Sequence, residues 1–159
     1  MNADLILWRH AEAEDLIDNE ETGGNDLSRR LTPKGEKQAA RMSAWLRQRL
    51  SDDTRVWSSP AVRTEQTVLA LGRQYQLSDR LRPDAGPDDL LELVQWPQLR
   101  HPALIVGHQP TLGRVVARLL GLGESECSIR KGAVWWLRQR ERHGVPQTVI
   151  VTVQAPELI

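Results

Sequence analysis

Short unbroken apolar runs alternate along this chain with stretches in which apolar residues recur every three or four positions. Leu5-Ile6-Leu7-Trp8, Val56-Trp57-Ser58 and Ala103 to Val106 are the short runs. Continuous apolarity over so few residues predicts strands covered on both faces. Thr32-Pro33 offers a helix cap followed by proline at the first helical position, and Ala39, Met42, Leu46 and Leu50 then keep helical spacing. Ser59-Pro60 repeats that start and predicts a second helix reaching about Gln74, with Arg63 in its first turn. A third, short helix is expected over Asp88 to Val94, after the turn signals Pro83, Gly86 and Pro87. Pro110 opens a fourth, in which Leu112, Val115, Val116, Leu119 and Leu120 form one apolar stripe and Gly121 is the stop.

The end of the chain changes character. Val134 to Leu137 and Thr148 to Val153 are β-branched and aromatic, and the charged segment Arg138 to Pro146 joins them as the turn of an antiparallel hairpin. Residues 12 to 30 are acidic and then rich in glycine and asparagine, with Gly23-Gly24-Asn25 as a breaker, and read as a long surface loop. Three strand–helix units and a terminal hairpin predict an α/β fold. Its form is a three-layer, doubly wound, mostly parallel sheet with a C-terminal antiparallel hairpin.

At 159 residues the chain is expected to be a single domain spanning 1–159. Acidic and basic residues balance at 21 each, so nothing in the overall charge favours nucleic acid or an anionic membrane surface. No apolar run approaches the ~20 residues of a membrane span. Met1-Asn2-Ala3-Asp4 leads directly into a strand without a basic or apolar leader, which predicts a cytoplasmic protein. Cys127 is the one cysteine, and its acidic neighbours Glu124 and Glu126 disfavour a thiolate.

Chemistry concentrates at strand ends. His10 follows the first apolar run, His108 follows the third, and Arg63 opens the helix after the second. The C-terminal edge of an open α/β sheet is where such folds bind ligands, and helix starts there offer N–H groups to anions. His101, before Pro102, and His143, in the hairpin turn, read as ordinary surface residues. Arg9 is different: directly after a buried strand and beside His10, its charge is costly unless an anion meets it. A guanidinium also fits two phosphate oxygens at once. Arg9, His10, Arg63 and His108 together predict a pocket for a phosphoryl group.

Leu7-Trp8-Arg9-His10-Ala11 resembles the Arg-His signature of the histidine phosphatase, or phosphoglycerate mutase-like, superfamily. Ser58-Ser59-Pro60-Ala61-Val62-Arg63-Thr64-Glu65-Gln66-Thr67 resembles its second arginine motif, Gly107-His108-Gln109-Pro110 its second histidine motif, and Arg30-Leu31-Thr32-Pro33-Lys34-Gly35 the segment before its first long helix. Alanine after Arg-His, the small size and the run from Val106 to Gly113 are most similar to the SixA-type phosphohistidine phosphatases. The resemblance implies the phosphoglycerate mutase-like fold and a hydrolase without cofactor or metal. His10 would be the nucleophile, passing through a phosphohistidine enzyme intermediate, while Arg9, Arg63 and a protonated His108 bind phosphoryl oxygens. It also implies a phosphorylated protein as partner, of the histidine-phosphotransfer type used in signal transduction.

No carboxylate matches a firm general-acid motif. Asp84 and Asp88 are the candidates between the second arginine and second histidine motifs; Asp89, Glu92, Glu12 and Glu14 read as solvated charges. Phosphohistidine needs an acid less, because its imidazole leaving group can be protonated from solvent near neutral pH. The alternatives are a small-molecule phosphomonoesterase of the same superfamily and a phosphoprotein-binding module without turnover. A metal hydrolase has no H-x-H, H-E-x-x-H or Cys/His cluster to stand on.

Overall fold

The computed structural model describes residues 3–15 and 25–159. Gly23 and Gly24 of the expected breaker lie outside the described residues, whereas Asn25 caps a 3-10 turn over Asp26–Ser28 by accepting from the Leu27 N–H.

Six strands form one sheet in the order β3-β2-β4-β1-β5-β6. They are β1 (Ala3–Arg9), β2 (Arg55–Ser58), β3 (Gln76–Leu77), β4 (Ala103–Gly107), β5 (Val134–Arg142) and β6 (Val145–Gln154). The first four are mutually parallel; β5 runs antiparallel to β1 and β6 antiparallel to β5. The helices are α1 (Pro33–Arg47), α2 (Val62–Leu69), α3 (Pro87–Val94) and α4 (Thr111–Leu120).

The apolar runs are unbroken because alternate side chains enter different cores. Leu5, Leu7 and Ile105 pack with Leu90 and Val94 of α3 and with Leu112, Val115 and Val116 of α4. Ile6, Trp8, Leu104 and Val106 pack on the other face with Met42 and Leu46 of α1 and Val68 of α2. Two helices therefore cover each face, giving the three-layer, doubly wound arrangement the apolar pattern predicts. Burying each such side chain is worth roughly 1.5–3 kcal/mol, so this double cover is the main force placing β1 and β4 side by side. Their register sets Arg9 opposite Gly107, which brings the two following histidines to one edge.

Element boundaries differ where turn chemistry decides them. α2 starts at Val62, not at Ser59-Pro60, and ends at Leu69, well short of Gln74. Its cap position is Ala61, while Ser59 Oγ accepts from the Ala61 N–H at 3.3 Å. Gly72, at φ +72°, then turns the chain left-handedly into the two-residue β3, which is too short to show as a pattern. The hairpin strands are longer than expected: Arg138–Arg142 and Val145–Thr148 pair, leaving His143-Gly144 as a two-residue turn with φ of +52° and +76°. Among the described residues no helix is long and apolar enough to cross a membrane.

Candidate active site

The turn after β1 is held from three sides. The His10 N–H donates to the Gly107 carbonyl at 3.1 Å, and the Ala11 N–H to Thr67 Oγ1 at 3.1 Å. Thr67 in turn donates to the Arg63 carbonyl at 2.7 Å, so one hydroxyl ties α2 to the His10 turn. On the third side α1 presses against Glu12. A Cβ on Gly35 would overlap the Glu12 carbonyl oxygen, which explains glycine at this position. Thr32 Oγ1, which caps α1 at the Gly35 N–H, also donates to Glu12 Oε2 at 2.7 Å. Glu12 is thereby committed to the helix cap.

Segment 129–133 wraps the same turn. Gly132 N–H donates to the His10 carbonyl and Arg9 N–H to the Ala133 carbonyl. Trp8, fully buried, donates through Nε1 to the Gly132 carbonyl at 3.2 Å, so this side chain anchors the wrap as well as filling the core. The Ile129 carbonyl receives Arg9 NH1 at 2.7 Å.

Arg9, His10, Arg63 and His108 converge here as expected. His10, Arg63 and His108 are 6%, 2% and 2% exposed, and the two imidazole rings lie 5.4 Å apart between centroids. His10 Nδ1 lies 2.7 Å from the Ala11 carbonyl, a contact only an N–H can make favourably, so Nε2 keeps the lone pair. Three nitrogens of the other convergent residues are buried without a partner among the described residues: Arg9 Nε, Arg63 Nε and His108 Nδ1. Buried polar atoms are rarely left unpaired, and three in one place mark where an anion's oxygens fit.

Electrostatics agree with this. Burial first, against a hydrogen bond to the Ala11 carbonyl that opposes it more than any one arginine assists it, and then Arg63, Arg9 and Arg29 push the His10 imidazolium down to about 3. Burial, followed by Arg63 and His10, likewise pushes His108 down to about 3. Both rings are neutral near pH 7. For His10 that is the nucleophilic form; for His108 it disfavours the expected imidazolium. Arg9 and Arg63 are themselves lowered, chiefly by burial.

Sequence reasoning missed Asp26, Arg29 and Ser59. Arg63 NH1 donates to the Asp26 carbonyl at 2.8 Å and NH2 to its carboxylate at 3.0 Å, while Arg29 Nε meets the other oxygen at 2.9 Å. Partial burial would raise Asp26, but Arg63 and Arg29 hold its carboxyl below the ordinary carboxylate value. Ser59 Oγ lies 2.8 Å from His108 Nε2. Asp26 sits in a polar loop that carries no periodic signal, and the pairing spans 37 residues.

The proposed acids fare differently. Asp88 pairs with Arg118 on the last turn of α4 and is not brought to the site. Asp84 is exposed on the loop 82–86, whose Ala85 carbonyl accepts from Thr111 Oγ1 at the start of α4, and has no hydrogen bond or ion pair among the described residues. His101 faces Asp53 at 3.4 Å on the surface, and His143 lies in the hairpin turn. A groove of about 740 Å³ around Arg55, Trp57, Arg73 and Tyr75 contains none of the four convergent residues. The site is therefore defined by unpaired buried donors and not by volume. Among the described residues no three His, Cys, Asp or Glu side chains come together as metal ligands would.

Known proteins resemble this chain in sequence and in fold. Residues 5–86 match the sequence model of the histidine phosphatase superfamily (branch 1). A phosphohistidine phosphatase SixA homolog of Haemophilus influenzae is 30% identical over 133 residues, covering 74% of this chain and 77% of that protein. The structure of a protein assigned as the phosphohistidine phosphatase SixA of Nakamurella multipartitia superposes with a TM-score of 0.77 at 25% identity, covering 98% and 97% of the two chains. The protein histidine phosphatase SixA complexed with tungstate gives 0.75 at 22% identity over 96% and 97%.

Proposed function

We propose, since this chain belongs to branch 1 of the histidine phosphatase superfamily, that it is a phosphohistidine phosphatase acting on a phosphorylated protein of the histidine-phosphotransfer type. The observation that carries the reading is the state of His10, whose Nδ1–H is committed to the Ala11 carbonyl and whose neighbours Arg9, Arg63 and His108 each hold a buried nitrogen without a partner among the described residues.

In the first step His10 Nε2 attacks phosphorus in line with the leaving imidazole nitrogen. The new N–P bond forms on His10 as the old one breaks, and the leaving nitrogen takes its proton from solvent. Arg9 Nε–H, Arg63 Nε–H and His108 Nδ1–H donate to the equatorial oxygens and offset charge that develops in the transition state. In the second step water attacks the phosphohistidine, inorganic phosphate departs, and His10 returns neutral with its lone pair on Nε2. No metal ion or cofactor takes part in this scheme.

The carboxylates favour an N–P substrate over an ester. Asp26 is held ionised by two guanidinium groups, Glu12 is tied to the cap of α1, and Asp88 is paired on the surface. An alkyl phosphate ester such as a sugar phosphate requires a proton on its leaving oxygen, and none of these groups is poised to supply one. The test compares phosphate release from a phosphorylated histidine-phosphotransfer protein with release from p-nitrophenyl phosphate and sugar phosphates, with His10→Ala as control. Preference for the phosphoprotein, lost in His10→Ala, is expected; faster turnover of a small ester would overturn the substrate assignment.

A further inference from the structure

Ser59 and His108 meet in a space closed to solvent, with Ser59 fully buried and His108 2% exposed. In such a space each polar hydrogen and lone pair needs a partner. Ser59 Oγ already accepts the Ala61 N–H at 3.3 Å, so its own hydrogen remains to be placed. Among the described residues the one other polar atom within hydrogen-bond distance is His108 Nε2, at 2.8 Å.

Two arrangements are possible, and they are not equivalent. If Nε2 carried the proton and donated to Ser59 Oγ, the serine hydrogen would lack an acceptor. Nδ1, buried and without a partner, would then present a lone pair. That lone pair would face the same phosphoryl oxygens that Arg9 and Arg63 attract, and would repel them. If instead the serine hydroxyl donates to Nε2, one unpaired group is left, the Nδ1–H, and a bound phosphoryl oxygen satisfies it.

We propose that Ser59 is a positioning residue: its hydroxyl donates to His108 Nε2, holds the imidazole as the Nδ1–H tautomer, and so gives the site a neutral N–H donor for the phosphoryl group. The device suits this pocket, where two guanidinium groups already oppose a third full positive charge. Burial, Arg63 and His10 keep His108 neutral near pH 7, so without a fixed tautomer its donor would be present only part of the time. The backbone makes the arrangement stiff. Ser59 N–H donates to the Val106 carbonyl at 3.1 Å, two residues before His108, and Leu112 N–H donates to the His108 carbonyl at 3.0 Å.

The kinetic arm of the test rests on the phosphatase reading; the spectroscopic arm does not. Long-range ¹H–¹⁵N correlation spectra of the full chain at neutral pH report which ring nitrogen of His108 is protonated. Nδ1 protonated and Nε2 bare is expected in the wild type, with the proton redistributed toward Nε2 in Ser59→Ala and restored in Ser59→Thr. In Ser59→Ala, kcat on a phosphohistidine protein should fall roughly 10- to 100-fold, the loss typical when the partner orienting an imidazole is removed. KM should move less, because Arg9 and Arg63 still bind the phosphoryl group. A wild-type spectrum with Nε2 protonated overturns the proposal even if no variant folds. It is also overturned if Ser59→Ala keeps the Nδ1 proton, or loses it with kcat unchanged. Wild-type protein with the expected tautomer but no turnover of any phosphorylated substrate would refute the phosphatase reading and leave the tautomer assignment in place.

Discussion

Arg63 and Asp26 are joined twice, guanidinium to carbonyl at 2.8 Å and guanidinium to carboxylate at 3.0 Å. Each terminal nitrogen of Arg63 therefore gives one N–H to Asp26, while Nε is buried without a partner among the described residues. Asp26 both fixes that orientation and offsets part of the pocket's positive charge. Because Asp26 is itself 42% exposed, solvent screens the pair and its worth lies in orientation more than in stability. Asp26→Ala is expected to lower kcat/KM about tenfold, near the lower end for one charge-assisted hydrogen bond. Asp26→Asn, which keeps an acceptor, should lose less. Steady-state kinetics on variants shown folded by circular dichroism decide it; a rise in activity in Asp26→Ala would mean that the carboxylate obstructs the site.

The lone pair on His10 Nε2 predicts a covalent intermediate. Rapid quenching with labelled substrate should trap label on His10 that is stable to alkali and lost in acid, as an N–P bond is. His10→Ala should trap none and turn over nothing above background. Undiminished turnover in that variant would remove His10 from the mechanism, and loss of wild-type activity in EDTA would bring a metal into it.

Acid should destabilise the fold through the two histidines. Each has an ordinary value of 6.5 and a folded value of about 3, so between these limits the unfolded chain binds protons that the folded one refuses. Stability is thus complete above about pH 6.5 and falls as pH drops toward about 3. Asp26, lowered in the folded state, adds stability above the ordinary carboxylate value that is lost on further acidification. Melting temperatures measured across this range should decline toward acid, and His10→Gln should flatten the slope. A wild-type profile that is flat below pH 6.5 would contradict the neutral buried rings.

Much of the architecture was legible because burial writes periodicity into sequence. Ile6 and Trp8 face one core and Leu5 and Leu7 the other, and only a strand covered on both sides needs all four. The four convergent residues were legible for a related reason: Arg9 ends an apolar strand, His10 and His108 each follow one, and Arg63 lies in the first turn of the helix after another. Asp26, Arg29 and Ser59 were not. Their roles depend on pairings across 37 and 49 residues, or on a loop whose polar sequence looks like any other. The early end of α2 was hidden too, since helical spacing continues through Leu71 while Gly72 takes the turn.

The pocket donors should each matter to rate. Arg9→Ala, Arg63→Ala and His108→Ala are expected to lower kcat roughly 10²- to 10³-fold, the scale for one preorganised donor in an anion hole. Arg63→Lys should recover little, since an ammonium cannot hold Asp26 through two nitrogens and still present a third. A variant that keeps kcat/KM while losing melting temperature would reveal a structural residue in place of a binding one.

Substrate preference follows from which protons the site can supply. Asp88 is taken by Arg118 and Asp84 lies exposed on its loop without a partner among the described residues, so neither is prepared to protonate a leaving alkoxide. An imidazole leaving group takes its proton from water near neutral pH. Asp84→Ala and Asp88→Ala should therefore leave kcat/KM on a phosphohistidine protein within about threefold, a shift worth less than 1 kcal/mol. The same two variants assayed on p-nitrophenyl phosphate, whose leaving group also needs little assistance, should behave alike, whereas sugar phosphates should be poor substrates for every form. If one of these carboxylates proves essential on a sugar phosphate turned over faster than the phosphoprotein, the site protonates alkoxides and the substrate is an ester, with His10 still the nucleophile.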